Sequence, residues 1–193
     1  VKFWTDCENF PTYKNKDCWN FSSYDQYIDL YANYLNLEDK IFYKNDLCTA
    51  YIFPDSIVDI GFVNGAECSK GTHMRAIRND INAVLLEYIQ KKFKFKDLTT
   101  RGIDGRYSVF MDITISNPMY DSQTKECLVT QQDMFSKDDT KKWQSSSKFL
   151  NAICKSEIVE LVKDWYNKKQ EAENVKALRK LNKNAKKLFR SDK

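Results

Sequence analysis

One segment near the middle of the chain, residues 106–116, alternates between two kinds of side chain. Its apolar positions are Tyr107, Val109, Met111, Ile113 and Ile115, and its polar positions are Ser108, Asp112, Thr114 and Ser116. Because successive side chains of a strand point to opposite faces, this period of two predicts a strand with one buried face. Asn117-Pro118 is predicted to end it, since proline has no amide donor. The chain must therefore build a sheet and cover one face of it.

Other segments supply further strands and the helices that cover the sheet. Apolar runs predict strands at residues 1–6, 40–43, 49–53 and 57–63. Apolar residues spaced three and four apart predict one helix from Ser23 to about Asn36 and another from Met74 to Tyr88. Helix is also predicted from Ser145 almost to the end of the chain.

The order of these segments predicts an α+β fold. The strands before residue 63 follow one another too closely for parallel crossovers, which need a dozen or more residues. The sheet is therefore predicted to be mixed or largely antiparallel, with helices on one face and a long C-terminal helix. Two regions are expected: an α/β domain at residues 1–165 and a basic helix at residues 166–193.

The positive charge of the chain is concentrated in residues 166–193. This stretch holds ten Lys/Arg and three Asp/Glu, whereas the whole chain has a formal charge of only +4. Basic residues surround an apolar stripe formed by Ala172, Val175, Leu178, Leu181, Ala185 and Leu188. A solvated helix face is one interpretation, and contact with phosphate backbones is the other. For the second, about three or four basic side chains are expected to face a duplex together, and the candidates are Lys176, Arg179, Lys180, Lys183, Lys186 and Lys187.

The cysteines and the single histidine do not predict a metal site. No C-x-x-C occurs among Cys7, Cys18, Cys48, Cys68, Cys127 and Cys154, so they are interpreted as reduced structural cysteines. His73 is interpreted as holding the turn at residues 64–72, although a role as base or metal ligand stays open. Asp138-Asp139 is interpreted as a turn. No apolar run approaches the roughly 18 residues that span a bilayer, so a cytoplasmic protein without a membrane partner is expected.

Several short motifs occur in a characteristic order. Residues 117–125 read Asn-Pro-Met-Tyr-Asp-Ser-Gln-Thr-Lys, and the accompanying motifs are Gly61-Phe-Val-Asn-Gly65, Lys70-Gly-Thr-His73, Ser147-Lys-Phe-Leu150, Ile158-Val159 and Trp165. Over roughly residues 57–190 they resemble the transducer domain of type IIA DNA topoisomerases, in which N-P-x-[FY]-x-x-Q-T-K is a signature. Two departures are that only Gly71 precedes Thr72 and that the first 50 residues match weakly.

The resemblance implies a transducer fold of the ribosomal-protein type and a role in sensing ATP. In the family, the Q-T-K loop contacts the γ-phosphate, so Lys125 is implied as a catalytic and ATP-binding residue and Gln123 as ATP-binding. Two residues apart in an extended chain, both are expected to project to the same side. ATP and Mg²⁺ belong to the parent enzyme, with Mg²⁺ bound outside this segment. The water-activating acid and the glycine-rich lid also lie outside it, so the chain alone is expected not to hydrolyse ATP.

The resemblance also implies partners. They are the nucleotide-binding domain and the DNA-cleavage region of the same enzyme, double-stranded DNA, and a second copy in a dimeric gate. The absence of an initiator Met suggests a piece of a longer chain. Abundant Lys, Asn and Asp suggest a viral enzyme of the T-even phage kind, located in the host cytoplasm. Two alternatives stay open: a non-catalytic DNA-binding module, or the equivalent domain of a mismatch-repair or chaperone ATPase.

Overall fold

The structure, a computed structural model, has α+β architecture and forms two compact units, Val1–Glu38 and Asp39–Lys193. It describes residues 2–3, 19–20, 23–55, 58–137, 141–142 and 145–191, with side chains at 23–55, 58–136 and 145–183. The predicted strand at 1–6 is described only at 2–3. The predicted Asp138-Asp139 turn lies outside the described residues.

The first unit contains a short strand pair and a helix. Strand β1 (Lys2–Phe3) pairs antiparallel with β2 (Trp19–Asn20), and helix α1 spans Tyr24–Leu35. The Ser23 hydroxyl accepts a hydrogen bond of 3.4 Å from the Gln26 amide, which satisfies one donor of the first helical turn. The helix ends at Asn36, which has a left-handed backbone. The helix predicted from Ser23 to about Asn36 is confirmed.

The second unit is organised around a mixed five-stranded sheet. Its strands and the short ones beside it are β3 (Ile41–Lys44), β4 (Cys48–Pro54), β5 (Ile60–Val63), β6 (Ala66–Glu67), β7 (Lys70–Gly71), β8 (Tyr107–Ile113), β9 (Cys127–Leu128), β10 (Ser136–Lys137) and β11 (Lys141–Lys142). The order in the large sheet is β3-β4-β8-β5-β6; only the β5–β8 pair is parallel. Outside it, β7 pairs with β9 and β10 with β11. The predicted mixed, largely antiparallel sheet is confirmed.

Local side chains explain how the chain reverses between β3 and β4. The Asn45 side-chain oxygen accepts hydrogen bonds from the backbone amides of Leu47 (2.9 Å) and Cys48 (2.7 Å). An asparagine in this position supplies the acceptor that the turn would otherwise lack. Strand β4 follows this turn and pairs on its other side with β8, along seven residue pairs.

Helices cover one face of the sheet. They are α2 (Thr72–Phe93), α3 (Thr100–Ile103), α4 (Ser147–Ile153) and α5 (Ile158–Ser191). The continuous helix predicted from Ser145 is interrupted between α4 and α5, where the Ser156 hydroxyl donates to the Ile153 carbonyl at 2.7 Å. A side chain that bonds to the backbone in this way competes with helix propagation.

The alternation of β8 places its apolar residues in the main core, as predicted. Tyr107, Val109, Met111, Ile113 and Ile115 are buried in one cluster with α2 residues that include Ile77, Ile81 and Leu85. The opposite face of the sheet is not simply polar. Phe110 and Phe53 are also fully buried there, with ring centroids 5.2 Å apart. The sheet therefore has apolar residues on both faces.

Among the residues whose side chains are described, helix α5 is buried in the core only at its beginning. Trp165 packs so closely on Gly102 that an added Cβ there would lie 2.3 Å from the indole ring. Tyr166 stacks on Phe95 with ring centroids 4.1 Å apart. Further along, Leu178 and Leu181 are 60% and 64% exposed. The described part of α5 after Tyr166 therefore projects from the core.

The described basic side chains of α5 that follow Tyr166 lie on one face of the helix. At about 100° per residue, the described ones fall within an arc of about 120°, on the opposite side from Leu178 and Leu181; they are Lys168, Lys169, Lys176, Arg179, Lys180 and Lys183. The sequence predicts basic side chains all around an apolar stripe, whereas in the structure the described ones after Tyr166 lie on one side of the helix. Lys186 and Lys187 belong to the same helix, but their side chains lie outside the described residues. No helix among the described residues is long and apolar enough to cross a membrane.

Candidate functional site

The candidate site is the Q-T-K loop, residues 117–130, which follows strand β8. The chain leaves the sheet through Thr114, whose amide donates to the Leu47 carbonyl at 2.8 Å. It returns beside its point of departure, because the Ser116 amide donates to the Ser136 carbonyl at 2.7 Å. The loop is therefore tied to the sheet at both ends.

Asn64, from the Gly61–Gly65 motif, anchors the start of the loop. Its side-chain amide donates to the Ile115 carbonyl, and its side-chain oxygen accepts from the Ile115 amide, both at 2.9 Å. The residue adopts a left-handed backbone with φ of 50°, a conformation that asparagine tolerates better than most residues. Asn64 thus acts as a short strand partner for the segment that leads into the loop.

Gly71 and Thr72, from the Lys70–His73 motif, anchor the return of the loop. Gly71 pairs with Leu128 in the parallel β7–β9 ladder, and the Thr72 hydroxyl donates to the Leu128 carbonyl at 3.3 Å. Gly71 has φ of 124°, and an added Cβ would lie 2.3 Å from the Leu128 oxygen. Only glycine fits this approach. Motifs that are distant in sequence therefore meet at the base of the loop.

His73 holds the turn that precedes α2. Its Nε2 atom lies 2.8 Å from the Cys68 carbonyl, and the side chain is fully buried. Burial lowers the pKa of the imidazole to about 4, so the ring is neutral at pH 7. No group of three potential metal ligands occurs among the residues that the structure describes. The interpretation of His73 as a turn-holding residue is confirmed.

The buried imidazole predicts a loss of stability in mild acid. In the unfolded chain the histidine has a pKa of about 6.5. Below that pH the unfolded state therefore binds a proton that the folded state does not bind. The contribution of neutral His73 to the free energy of unfolding is fully present above pH 6.5 and is lost as the pH falls towards 4. We expect His73 to account for a decrease of about 2 kcal/mol in the free energy of unfolding between pH 7.5 and 5.

Urea unfolding of the purified chain at both pH values measures this decrease. His73→Gln, which cannot titrate, corrects for the carboxylates that protonate in the same range. The expected result is a pH-dependent loss of stability that is smaller in the variant by about 2 kcal/mol. Parallel losses in the two proteins would contradict the prediction.

Within the loop, the chain folds back on itself as a hairpin. Tyr120 and Leu128 form an antiparallel bridge. Next to it, the Val129 amide donates to the Met119 carbonyl at 2.8 Å, and the Met119 amide donates to the Thr130 hydroxyl at 2.7 Å. These contacts leave residues 122–126 as an exposed tip.

The tip carries Gln123 and Lys125 in a turn, and the expectation of an extended chain is wrong. Lys125 has a left-handed backbone with φ of 59°, and its amide donates to the Ser122 carbonyl at 3.2 Å. The chain must reverse here because both arms of the hairpin return to the sheet. Both side chains are exposed, and the Lys125 ammonium lies 5.7 Å from the centroid of the Tyr120 ring.

Of the described cysteines, Cys127 lies within the loop and the other three lie outside it. Cys48, Cys68, Cys127 and Cys154 are free thiols, as the sequence predicts, whereas Cys7 and Cys18 lie outside the described residues. Burial raises the pKa of the Cys48, Cys68 and Cys154 thiols, which disfavours the reactive thiolate.

Comparisons with known proteins agree with this fold and these motifs. A family model described as DNA gyrase B matches residues 9–188. DNA topoisomerase 2 of Arabidopsis thaliana is 28% identical over 159 residues, which are 77% of this chain and 10% of that protein. The ATPase and transducer domains of DNA topoisomerase II from Balamuthia mandrillaris superpose with a TM-score of 0.67 at 27% identity, over 81% of this chain and 39% of that one. The ATPase region of Saccharomyces cerevisiae topoisomerase II, at 22% identity, shares the fold with a TM-score of 0.66, over 79% of this chain and 39% of that one.

Fold, loop and relatives together define the transducer domain of a type IIA DNA topoisomerase. The match spans most of the chain, and the chain belongs to the DNA gyrase B family. It covers about a tenth of the length of the Arabidopsis relative and well under half of the solved chains. A viral origin stays a prediction.

Two residues of the site received no role from the sequence. Asn64 was visible only as part of a motif, although an Asn-Gly pair is a signal for a left-handed turn. Tyr120 was likewise part of a motif, and its contact with Lys125 depends on a hairpin that local patterns do not specify.

Proposed function

We propose that this chain is the transducer segment of an ATP-dependent type II DNA topoisomerase. In this function Gln123 and Lys125 contact the γ-phosphate of ATP, which the neighbouring nucleotide-binding domain holds. The observation that supports it best is the placement of both side chains at the exposed tip of a loop whose base is tied to the sheet by Asn64 and Gly71. A contact made at the tip acts on the sheet through these anchors.

The chemistry of the two side chains suits a phosphoryl group. Lys125 brings a point charge to oxygens on which negative charge changes during transfer, and Gln123 brings an amide donor. The described residues offer no set of ligands for a cation. We therefore assign Mg²⁺, which neutralises phosphate charge when bound, to the domain that holds the nucleotide.

The proposed work of the domain is mechanical. Nucleotide contact biases the position of the loop and the sheet, and α5 transmits that position towards the DNA-cleavage region during strand passage. Double-stranded DNA and a second copy in a dimeric gate are the further partners. The proposed location is the cytoplasm, or the host cytoplasm for a viral enzyme.

Labelling of the full-length enzyme tests the nucleotide contact. An ATP analogue with an amine-reactive group on the γ-phosphate is expected to modify Lys125, and excess ATP is expected to suppress the modification. Peptide mapping identifies the labelled lysine, and Lys91, an exposed lysine in α2, serves as an internal control. Labelling that ATP does not suppress, or that reaches Lys91 equally, would refute the contact.

Contact between α5 and DNA is a second part of the proposal, supported by the one-sided basic face. Each phosphate that is neutralised releases counterions, with a slope of about −0.9 in the logarithm of affinity against the logarithm of salt concentration. With three or four phosphates contacted, we expect a slope of about −3 for the purified chain. Removal of residues 168–193 is expected to abolish this slope and to leave the domain folded, because Tyr166 is the last core residue of α5 among those whose side chains are described.

Fluorescence anisotropy with a short duplex at several salt concentrations measures the slope, and circular dichroism reports folding. Glutamine at Lys176, Lys180 and Lys183 is expected to remove most of the slope, whereas glutamine at Lys91, Lys94 and Lys96, which changes the charge equally, is expected to preserve it. Tight binding by the truncated chain would show that α5 makes no contact. Unfolding on truncation would show that its apolar stripe packs on the core.

A further inference from the structure

We propose that Tyr120 is a positioning residue that holds the Lys125 ammonium ready for the phosphate. This inference rests on the proposed function, because it gives a partner to the lysine assigned to ATP. The ammonium lies 5.7 Å from the centroid of the Tyr120 ring, within the roughly 6 Å over which a ring attracts a cation.

The ring is packed against the core, whereas the lysine side chain is exposed. Tyr120 is half-buried and packs against the main core, and its backbone is bridged to Leu128 in the hairpin. Lys125 is exposed at the tip. A flexible side chain with four rotatable bonds thus rests on a surface whose position is set by the fold, which reduces the rotamer freedom to be lost when phosphate binds.

An aromatic partner suits this task better than a carboxylate. Within the described part of the chain, the Lys125 ammonium has the Tyr120 ring as its one partner, although Asp121 and Glu126 are close in sequence. A carboxylate would neutralise the charge and occupy the N–H donors with strong hydrogen bonds. The ring attracts the cation through its quadrupole and leaves the charge and the outward donors available to a phosphate oxygen.

The ring therefore positions the cation without neutralising it. Loss of the ring is expected to lower the rate of the chemical step. In the full-length enzyme, we expect Tyr120→Leu to lower kcat for ATP hydrolysis about two- to fivefold, the factor that corresponds to an exposed cation–π contact. KM for ATP is expected to change less. Tyr120→Phe keeps the ring and is expected to behave as the unaltered enzyme.

A graded substitution separates ring electronics from packing. Phenylalanine analogues with one, two and three ring fluorines, incorporated at position 120, keep the shape but progressively weaken the negative face of the ring. We expect kcat to fall stepwise with fluorine number, while the melting temperature of the enzyme stays constant. Lys125→Ala is expected to abolish this dependence, because the cation is then absent.

Each contrary result has a distinct meaning. A kcat that rises in Tyr120→Leu would show that the ring withholds the lysine, and an unchanged kcat would show that it does nothing; either overturns the inference. Equal losses in Tyr120→Phe and Tyr120→Leu would assign the effect to the hydroxyl and also overturn it. If Lys125→Ala itself leaves kcat unchanged, the proposed function fails, and the positioning role fails with it.

Discussion

Alanine in place of Lys125 is expected to lower kcat for ATP hydrolysis by the full-length enzyme about 10²–10³-fold, as does the loss of other groups that stabilise a developing charge. The side chain is exposed at the tip of the Q-T-K loop and is not neutralised by a carboxylate within the described residues. Strand passage should fall with hydrolysis. DNA cleavage without ATP should persist, because we assign that chemistry to another region of the full-length enzyme.

Steady-state ATPase kinetics, a decatenation assay and a cleavage assay together measure these effects. Lys91→Ala removes an exposed lysine from α2 and is the matched control; it is expected to retain all three activities. Lys125→Arg keeps the positive charge on a group of different shape, and its kcat should lie between those of Lys125→Ala and the unaltered enzyme. Unaltered ATP turnover in Lys125→Ala would mean that the loop is only a surface turn.

Alanine in place of Gly71 is expected to destabilise the folded chain by about 3 kcal/mol or more, an effect at the large end for a single substitution. The new methyl group would lie 2.3 Å from the Leu128 oxygen and 2.5 Å from its nitrogen, and the backbone φ of 124° is itself unfavourable for alanine. Relief requires β7 and β9 to separate. The return of the Q-T-K loop would then lose its anchor.

Gly65→Ala supplies a matched control for this prediction. Gly65 also has a positive φ, of 79°, but an added Cβ there meets nothing within 4 Å. Its cost is therefore limited to backbone strain, about 1 kcal/mol. Urea unfolding of both variants measures the difference. Equal destabilisation would show that Gly71 does not approach Leu128 closely in solution.

The elements most accurately predicted from the sequence are those in which the spacing of apolar residues matches the face that is buried in the structure. The alternation of β8 identified its core face correctly because Tyr107, Val109 and Met111 all point towards α2. The boundaries of α1 followed from Ser23, whose cap is a local interaction. The motifs at Asn64 and Gly71 were visible in the sequence, but not their convergence, since each one's partner lies about fifty residues away.

Features that depend on distant contacts were not predicted. Phe110 interrupts the polar side of β8, and its burial against Phe53 depends on strand register rather than on period. The shape of the Q-T-K tip was predicted to be extended because local composition carries no sign that both arms are tied to the sheet. At the break before α5 the Ser156 hydroxyl bonds to the Ile153 carbonyl, but serines that make such bonds also occur within unbroken helices.

The clamp at the beginning of α5 has a geometric consequence. Two packing contacts hold the helix near one end, that of Trp165 with Gly102 and that of Tyr166 with Phe95. About 25 residues continue from there to Ser191. At 1.5 Å per residue the free arm is about 37 Å long. A tilt of about 10° at the clamp would swing its far end through about 6 Å, nearly two base-pair steps of about 3.4 Å along a duplex. Under the proposed contact between α5 and a duplex, very small rearrangements around Gly102 would therefore become displacements on the scale of base-pair steps.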